Sequence, residues 1–363
     1  MIKKIKAWIK LLETPEIGIA KAIKLTQILG EPINFIGSSA DKLHDIDFIS
    51  DAAKENLDNN IYPKDWNRIA ILIEKYNIRF ISILDDSYPS ILKSIFNPPP
   101  FLFYRGTLQK DDFRRTLAIV GTRKASNYGK LMTRKIGEKI TAAGFTIVSG
   151  LAFGIDTIAH LSALDRGGRT LAILGTGCEQ IYPPGNRELA DRIMENGALI
   201  SEFIPGRKAE RWNFPTRNRI ISGISLGSLI IEGTKKSGAL LTAKFALDQN
   251  RDVFALPGNI DKPQAEGPNY LIKLGAKIVT CANDILEEYD LIMENAEKPF
   301  PKLTSNEEKI YQILLQNKPE IEFDSLMLKT GYSVGEFSTI LLSLELKNVV
   351  KKIPGNKILP LYL

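Results

Sequence analysis

At 363 residues the chain is longer than one hydrophobic core usually organises, so two or three domains are expected. An apolar share of 44% and a charged share of 25% belong to an ordinary globular chain, and no apolar run approaches the length of a membrane span. The net charge of +6 says little alone, but from Arg105 to Arg219 there are 19 Lys or Arg against 11 Asp or Glu, so that stretch carries +8 and the remainder −2.

The N-terminus, MIKKIKAWIKLLETPEIG, has bases but neither a sustained apolar segment nor a small-residue cleavage site, so no signal peptide is expected. Residues 1 to about 60 carry helix-spaced apolar positions broken at Gly18, Gly30-Glu31-Pro32 and Gly37-Ser38-Ser39. A further helical stretch runs from about Asp65 to Lys75, and a small helical domain over 1–77 is predicted. In RFISILDDSYPSILKSIFNPPPFLFYRG the prolines favour extended connections over helix.

From Thr116 the pattern changes to short β-rich runs separated by helical stretches: TLAIVG, FTIVSG, TLAILG, ALIS, SLIIE, DVFALP and KIVT. Strands apolar on both faces that alternate with helices predict a doubly wound, mostly parallel α/β domain over 78–290. Ligands of such sheets settle outside the carboxyl ends of the strands, so the residues after each run carry the functional information.

After the first run, Gly121-Thr122-Arg123-Lys124 leads into a helix from about Tyr128. Bare N–H groups, a hydroxyl and an Arg suit a phosphate, and a glycine turn with a solvated Arg is the alternative. After the second, Gly150-Leu151-Ala152-Phe153-Gly154-Ile155-Asp156 opens a helix that holds His160. Its glycines lack dinucleotide spacing, which argues against a nicotinamide or flavin, but they permit close backbone approach by a ligand. Asp156 and His160 stand four apart on one helical face. With His44 the other histidine of the chain and no Cys or further acid at ligand spacing, a helix-start acid paired with a histidine is the simpler reading, and no metal is expected.

In the third loop, TGCEQIYPPGNREL, the prolines force an extended turn ahead of Asn186 and Arg187. Cys178 has no evident base beside it and is read as a small buried thiol. With Cys281 far off in sequence, neither a disulfide framework nor a zinc cluster is expected, which fits a reducing cytosol. The densest polar cluster is Trp212-Asn213-Phe214-Pro215-Thr216-Arg217-Asn218-Arg219. Arg is unfavourable at a helix start unless an anion compensates, so phosphate and unstacked bases are preferred here over carboxylate partners.

The stretch SLIIEGTKKSGALLTAKFA has the strand, Gly-x-x-x-x-Gly and helix order of an ATP-binding P-loop. Ala239 and Leu240 stand where the Lys and the Ser or Thr would be needed, so triphosphate cleavage is not expected. What remains is a loop whose N–H groups, with Lys235, Lys236, Ser237 and Gly238, suit a phosphate at a helix N-terminus.

A linker is predicted over 291–302 and a winged helix over 303–363, with Ser305/Glu308 and Ser333/Glu336 at capping-box spacing and a hairpin around Pro354-Gly355-Asn356. Its recognition helix, SVGEFSTILLSLELK, has Lys347 as its base against two glutamates, so firm duplex binding by this unit is not expected.

Taken together, AIVGTRKASNYG, IVSGLAFGIDTIAH, AILGTGCEQIYPPGNREL, LISEFIPG, NFPTRNRIISGIS, IIEGTKKSGALLTAKFALDQNRDVFALPGNI and GPNYLIKLGAKIVT resemble, in order over roughly 78–290, the DNA-processing protein A family (DprA, or Smf). The N-terminal helices look like that family's helix-hairpin-helix or SAM-like unit, and the tail looks like its winged helix. The resemblance implies a Rossmann-like core that binds single-stranded DNA in a basic pocket. It also implies dimerisation and delivery of the strand to the RecA recombinase in natural transformation, in the cytoplasm and without a cofactor. Many members have a basic residue where Phe153 stands. The expected strand-binding set is Gly121, Thr122, Arg123, Lys124, Gly150, Gly154, Asp156, Asn186, Arg217, Asn218, Arg219, Lys235, Ser237 and Gly238. Two alternatives stand beside it. One is a Rossmann-like enzyme hydrolysing nucleoside monophosphate N-glycosidic bonds, for which Glu232-Gly233-Thr234 is the superficial match. The other is a protein-interaction scaffold docking through its winged helix.

Overall fold

In the computed structural model, which describes residues 1–37, 41–59, 65–289, 301, 303–316, 321–347, 349–353 and 355–360, the chain begins with five helices. These are α1 (Ile2–Glu13), α2 (Ile19–Leu29), α3 (Asp41–His44), α4 (Asp51–Asp58) and α5 (Trp66–Lys75). Their apolar faces, with Trp8, Leu25, Leu57 and Ile73, share one core with Phe101 and Phe103. None of these helices could bury its face alone, and the sheet that follows supplies the cover.

That sheet contains β1 (Arg79–Ser82), then after the four-residue α6 (Ser90–Lys93) the strands β2 (Phe101–Gly106) and β3 (Thr116–Val120). It continues through α7 (Asn127–Ala142), β4 (Thr146–Ser149), α8 (Ile155–Leu164), β5 (Thr170–Ile173), α9 (Arg187–Glu195), β6 (Gly197–Ser201) and α10 (Asn213–Gly223). The last elements are β7 (Gly227–Ile230), α11 (Gly238–Asp248), β8 (Asp252–Ala255), α12 (Glu266–Lys273), β9 (Lys277–Ile278) and α13 (Asn283–Leu286). All seven β-rich runs read from the sequence are strands. The order is β1-β2-β6-β5-β4-β3-β7-β8-β9, parallel from β6 to β9, with β2 antiparallel to β6 and β1 antiparallel to β2. Every residue of β3 through β7 is buried, as a sheet covered on both faces requires.

The chain leaves β3 through β4, β5 and β6 in one direction, then returns to place β7, β8 and β9 on the other side of β3. This reversal opens a crevice at the carboxyl ends of β3 and β7, where loops from both halves diverge. It is the fold's ready-made ligand position. Among the described residues no helix is long and apolar enough to cross a membrane.

The chain divides into two compact units, Met1–Ile292 and Met293–Leu363. The linker expected over 291–302 lies outside the described residues apart from position 301. The second unit contains α14 (Ser305–Gln316), β10 (Ile321–Glu322), α15 (Phe323–Thr330), α16 (Val334–Leu346), β11 (Val350–Ile353) and β12 (Lys357–Pro360), with the small sheet ordered β10-β12-β11. This is the expected winged helix, packed around Ile310, Leu326, Phe337, Leu341 and Ile358. Ser333 and Glu336 form the predicted capping box. The one predicted at Ser305 and Glu308 sits a residue earlier, where the Thr304 N–H donates to Glu307 at 2.7 Å and the Glu307 N–H to Thr304 Oγ1 at 3.4 Å. Glu307 also accepts from Ser343 and from Lys347, at 2.7 and 2.6 Å. Lys347, the residue after α16, is thereby turned onto a buried carboxylate, which those donors hold well down, at about 2, against the upward push of burial.

Candidate nucleic-acid interface

The crevice is occupied by a cleft of about 620 Å³, walled by the loop after β3, the start of α8 and the N-terminal turns of α10 and α11. A smaller cavity of about 250 Å³ adjoins it and shares Arg123, Ala152, Tyr182, Phe214 and Arg217 with it. Of the expected set, Gly121, Thr122, Arg123, Asp156, Arg217, Asn218, Ser237 and Gly238 line the cleft, and Gly150 lines the smaller cavity.

The loops fit together because the one between β4 and α8 lacks a side chain at two points of contact. Gly154 has φ +80° and caps α8, and a Cβ there would lie 2.4 Å from the Thr122 carbonyl oxygen. At Gly150 a Cβ would lie 2.3 Å from Arg217 Nη2. Gly154 thus admits a backbone neighbour and Gly150 a guanidinium, while Gly150 also borders the smaller cavity.

Arg217 is 6% exposed. Its Nη1 donates to the carbonyls of Gly150 and Ile173, which end β4 and β5, and its Nε donates to Asn218 Oδ1 at 3.0 Å. Asn218 in turn donates to the Gly238 carbonyl at 3.1 Å, tying α10 to the start of α11. Burial pushes the Arg217 guanidinium down to about 10, with the Asp156 carboxylate opposing the shift. Asp156 is buried as well; burial raises its pKa, while Arg217 and the N–H of Ala152 pull it back down. Both line the cleft without reaching ion-pair distance, and the longer-range attraction of the Asp156 carboxylate offsets part of the cost of burying the guanidinium.

Three expected residues are committed elsewhere. Arg219 is directed onto Glu202 in an ion pair whose side chains are 9% and 12% exposed, outside the cleft lining. Asn186 Nδ2 donates to the Leu151 carbonyl at 2.9 Å and to Thr157 at 3.0 Å, holding a loop whose Leu151 has φ +58°. Lys235 lies 3.8 Å from Glu266 and over the Tyr270 ring, toward α12. Lys124 is exposed just beyond the cleft, where its N–H donates to Thr122 Oγ1 at 3.2 Å.

The histidine reading is corrected in its partner. His160 does not pair with Asp156; its Nδ1 lies 2.7 Å from Thr170 Oγ1, which donates its own proton to the Ile147 carbonyl. Nδ1 therefore carries the imidazole proton, and Nε2 has no partner among the described residues. Burial, with Arg217 adding repulsion, pushes the pKa down to about 3. The unfolded chain protonates near 6.5 and the folded one only near 3, so stability present above pH 6.5 is lost as pH falls, by about 1.4 kcal/mol per unit. Urea midpoints measured downward from pH 6.5 are expected to show this slope, and His160→Gln to remove it. Among the described residues no group of three His, Cys, Asp or Glu is placed to hold a metal.

Arg123 and Arg211 are exposed, line the cleft and, among the described residues, have no carboxylate within ion-pair distance. Arg211 is absent from the expected set, although it directly precedes the Trp212 cluster from which that set drew Arg217 and Arg219. The Arg123 and Arg217 guanidinium carbons each lie 5.9 Å from the Phe214 ring centroid, and Tyr182 meets that ring tilted by 45° at 5.3 Å. At the far wall the Ser237 side chain makes no capping bond, and its buried Oγ has no partner among the described residues. The first N–H groups of α11 therefore meet the cleft uncapped, as a partial positive charge.

The family model described as DNA recombination-mediator protein A matches residues 79–290, and that of the DprA winged helix domain matches 294–356. Protein Smf of Synechocystis is 38% identical over 319 residues, 78% of this chain and 80% of its own. DNA processing protein DprA of Bacillus subtilis is 42% identical over 242 residues, 67% of this chain and 81% of its own. The X-ray structure of DprA from Streptococcus pneumoniae superposes with a TM-score of 0.64 at 33% identity, covering 79% of this chain and 95% of that one. A Helicobacter pylori DNA processing protein A structure, described for its single-stranded DNA binding mode, gives 0.54 at 26% identity over 59% of this chain and 96% of that one. With a family model matching 79–290, more than half of its length, and a relative 38% identical over most of both chains, the chain belongs to the DNA recombination-mediator protein A family.

Proposed function

We propose that this chain grips single-stranded DNA in the cleft without cleaving it, acts as a homodimer, and hands the strand to a RecA-type recombinase during natural transformation. The observation that carries strand binding is the meeting of unpaired Arg123 and Arg211, the aromatic faces of Phe214 and Tyr182 and the uncapped start of α11 around one opening. Phosphates take the cations and N–H groups, and unstacked bases take the rings. Dimerisation and delivery to RecA rest on family membership. The domain boundaries proposed at 77/78 and 302/303 confine the strand site to the central segment.

A binder rather than a catalyst is favoured by how the acids and the base are already spent. Glu232, the match for a glycosidase, accepts from the Ser126 N–H at 2.9 Å and from Ser126 Oγ, which also caps α7, and lies outside the cleft lining. Asp156 serves Arg217, and His160 is held neutral beneath the sheet end. Fluorescence anisotropy with matched single- and double-stranded oligonucleotides across a salt series tests the reading. Single strands are expected to bind at least about tenfold tighter, with log Kd rising steeply with log salt. Equal affinity for duplex, or release of free base from nucleoside monophosphates, overturns it.

A further inference from the structure

The geometry points to the outer face of α7 as the path along which the sugar-phosphate backbone continues once the strand has left the cleft. The inference rests on the cleft being a strand site and extends that site by the length of one helix. α7 starts from the loop that carries Arg123 to the cleft, and Lys124 stands exposed between the two. From there its 16 residues run back toward the amino ends of the strands, over about 24 Å.

The exposed positions of this helix are strongly cationic. Lys130, Arg134, Lys135 and Lys139 face outward, and Glu138 is the one acid of the helix. That acid takes Arg166 at 2.9 Å, while Arg134 shares Asp165 with Arg192 at 3.3 and 3.1 Å. Among the described residues Lys124, Lys130, Lys135 and Lys139 have no carboxylate within ion-pair distance. Lys130 with Arg134, and Lys135 with Lys139, are like charges four residues apart, a spacing that weakens a helix. Lys130 also stands near the amino end, where the helix dipole disfavours a cation and the first turn holds no acid. Glu232 lies at that end but is engaged by the Ser126 N–H and hydroxyl. The repulsion at the three lysines therefore goes unrelieved within the chain, and a polyanion laid along the face relieves it.

The occupant is the phosphodiester backbone of the same strand. Lys130, Lys135 and Lys139 lie outside the linings of the cleft and of the smaller cavity, so a base has no recess to enter between them. The rises from Lys130 to Lys135 and on to Lys139, about 7.5 and 6 Å, set cations at intervals that the phosphates of an extended strand can meet. Continuity with the cleft through Arg123 and Lys124 favours the strand already held there over a separate duplex. Contacts to phosphate carry no sequence information, so the face adds affinity and salt dependence without base preference.

Anisotropy is measured across a salt series with oligo-dT of about six and about sixteen nucleotides, for the full chain and for the triple variant Lys130→Ala, Lys135→Ala, Lys139→Ala. The triple variant is expected to bind the longer strand roughly ten- to hundredfold more weakly, with a salt slope flatter by about 2, and to bind the shorter one as the full chain does. The same three positions changed to Arg are expected to keep both values. The melting temperature of the Ala variant is not expected to fall, since repulsion is removed. Lys3→Ala, Lys21→Ala, Lys42→Ala makes the same charge change on α1, α2 and α3 and is expected to leave binding of the longer strand within about twofold. Lysine acetylation read by mass spectrometry is expected to show Lys130, Lys135 and Lys139 protected by the longer strand and not by the shorter. No loss on the longer strand, equal losses on both lengths, equal losses from the two Ala variants, or a loss confined to duplex binding overturns the α7 path while leaving the strand site standing. A full chain that binds neither length overturns both.

Discussion

Arg217→Ala is expected to lower the free energy of unfolding of the Met1–Ile292 unit by about 3–5 kcal/mol, because several hydrogen bonds from a buried charged donor are lost together. Three consequences coincide. The carbonyls of Gly150 and Ile173 lose their shared donor, Asn218 loses the bond that steadies it against Gly238, and Asp156 is left buried without its countercharge. Arg217→Lys is expected to recover little, because one ammonium cannot supply both the Nη1 and the Nε directions of the planar fork. Replacing both members, Arg217→Met with Asp156→Leu, is expected to be less damaging than Arg217→Ala alone, since no charge is then stranded. Equilibrium urea unfolding of the three variants decides the matter. A loss under about 1 kcal/mol for Arg217→Ala would mean that water reaches the acceptors it leaves behind.

Arg123→Ala and Arg211→Ala are expected to do the opposite, leaving stability unchanged and weakening single-stranded DNA binding by about 1–2 kcal/mol each, roughly five- to thirtyfold. Among the described residues neither side chain has an ion pair to lose. Because each would neutralise a phosphate, the pair of substitutions should flatten the salt slope by about 1.4 and weaken all base compositions alike. Melting temperature and a salt-titrated anisotropy series on the double variant provide both readouts. An unchanged slope, or a drop in melting temperature matching that of Arg217→Ala, would reverse the division between gripping and structural arginines.

The difference between arginines with and without internal partners explains why the candidate site was less legible than the fold. Glycine-bounded β-rich runs report local chain preferences, and each of the seven became a strand. The antiparallel β1 and β2 were harder to see, because prolines lie between them and the pairing of β2 with β6 joins residues about a hundred apart, Phe103 with Ser201. The arginines of α10 carry no such local label. Positions 217 and 219 are two residues apart, which turns their side chains about 200° from each other around the helix axis. One therefore reaches the ends of β4 and β5, while the other reaches Glu202.

Arg211, one residue before the quoted cluster and outside α10, was left as an exposed cation at the cleft. Family, layer order and the location of the crevice were all readable from the chain, because strand, helix and glycine-turn chemistry act over a few neighbouring residues. Which cations remain free for a polyanion was settled by packing. A guanidinium's partner is chosen by whatever carbonyl or carboxylate a distant segment brings within about 3 Å, and no spacing along the chain encodes that.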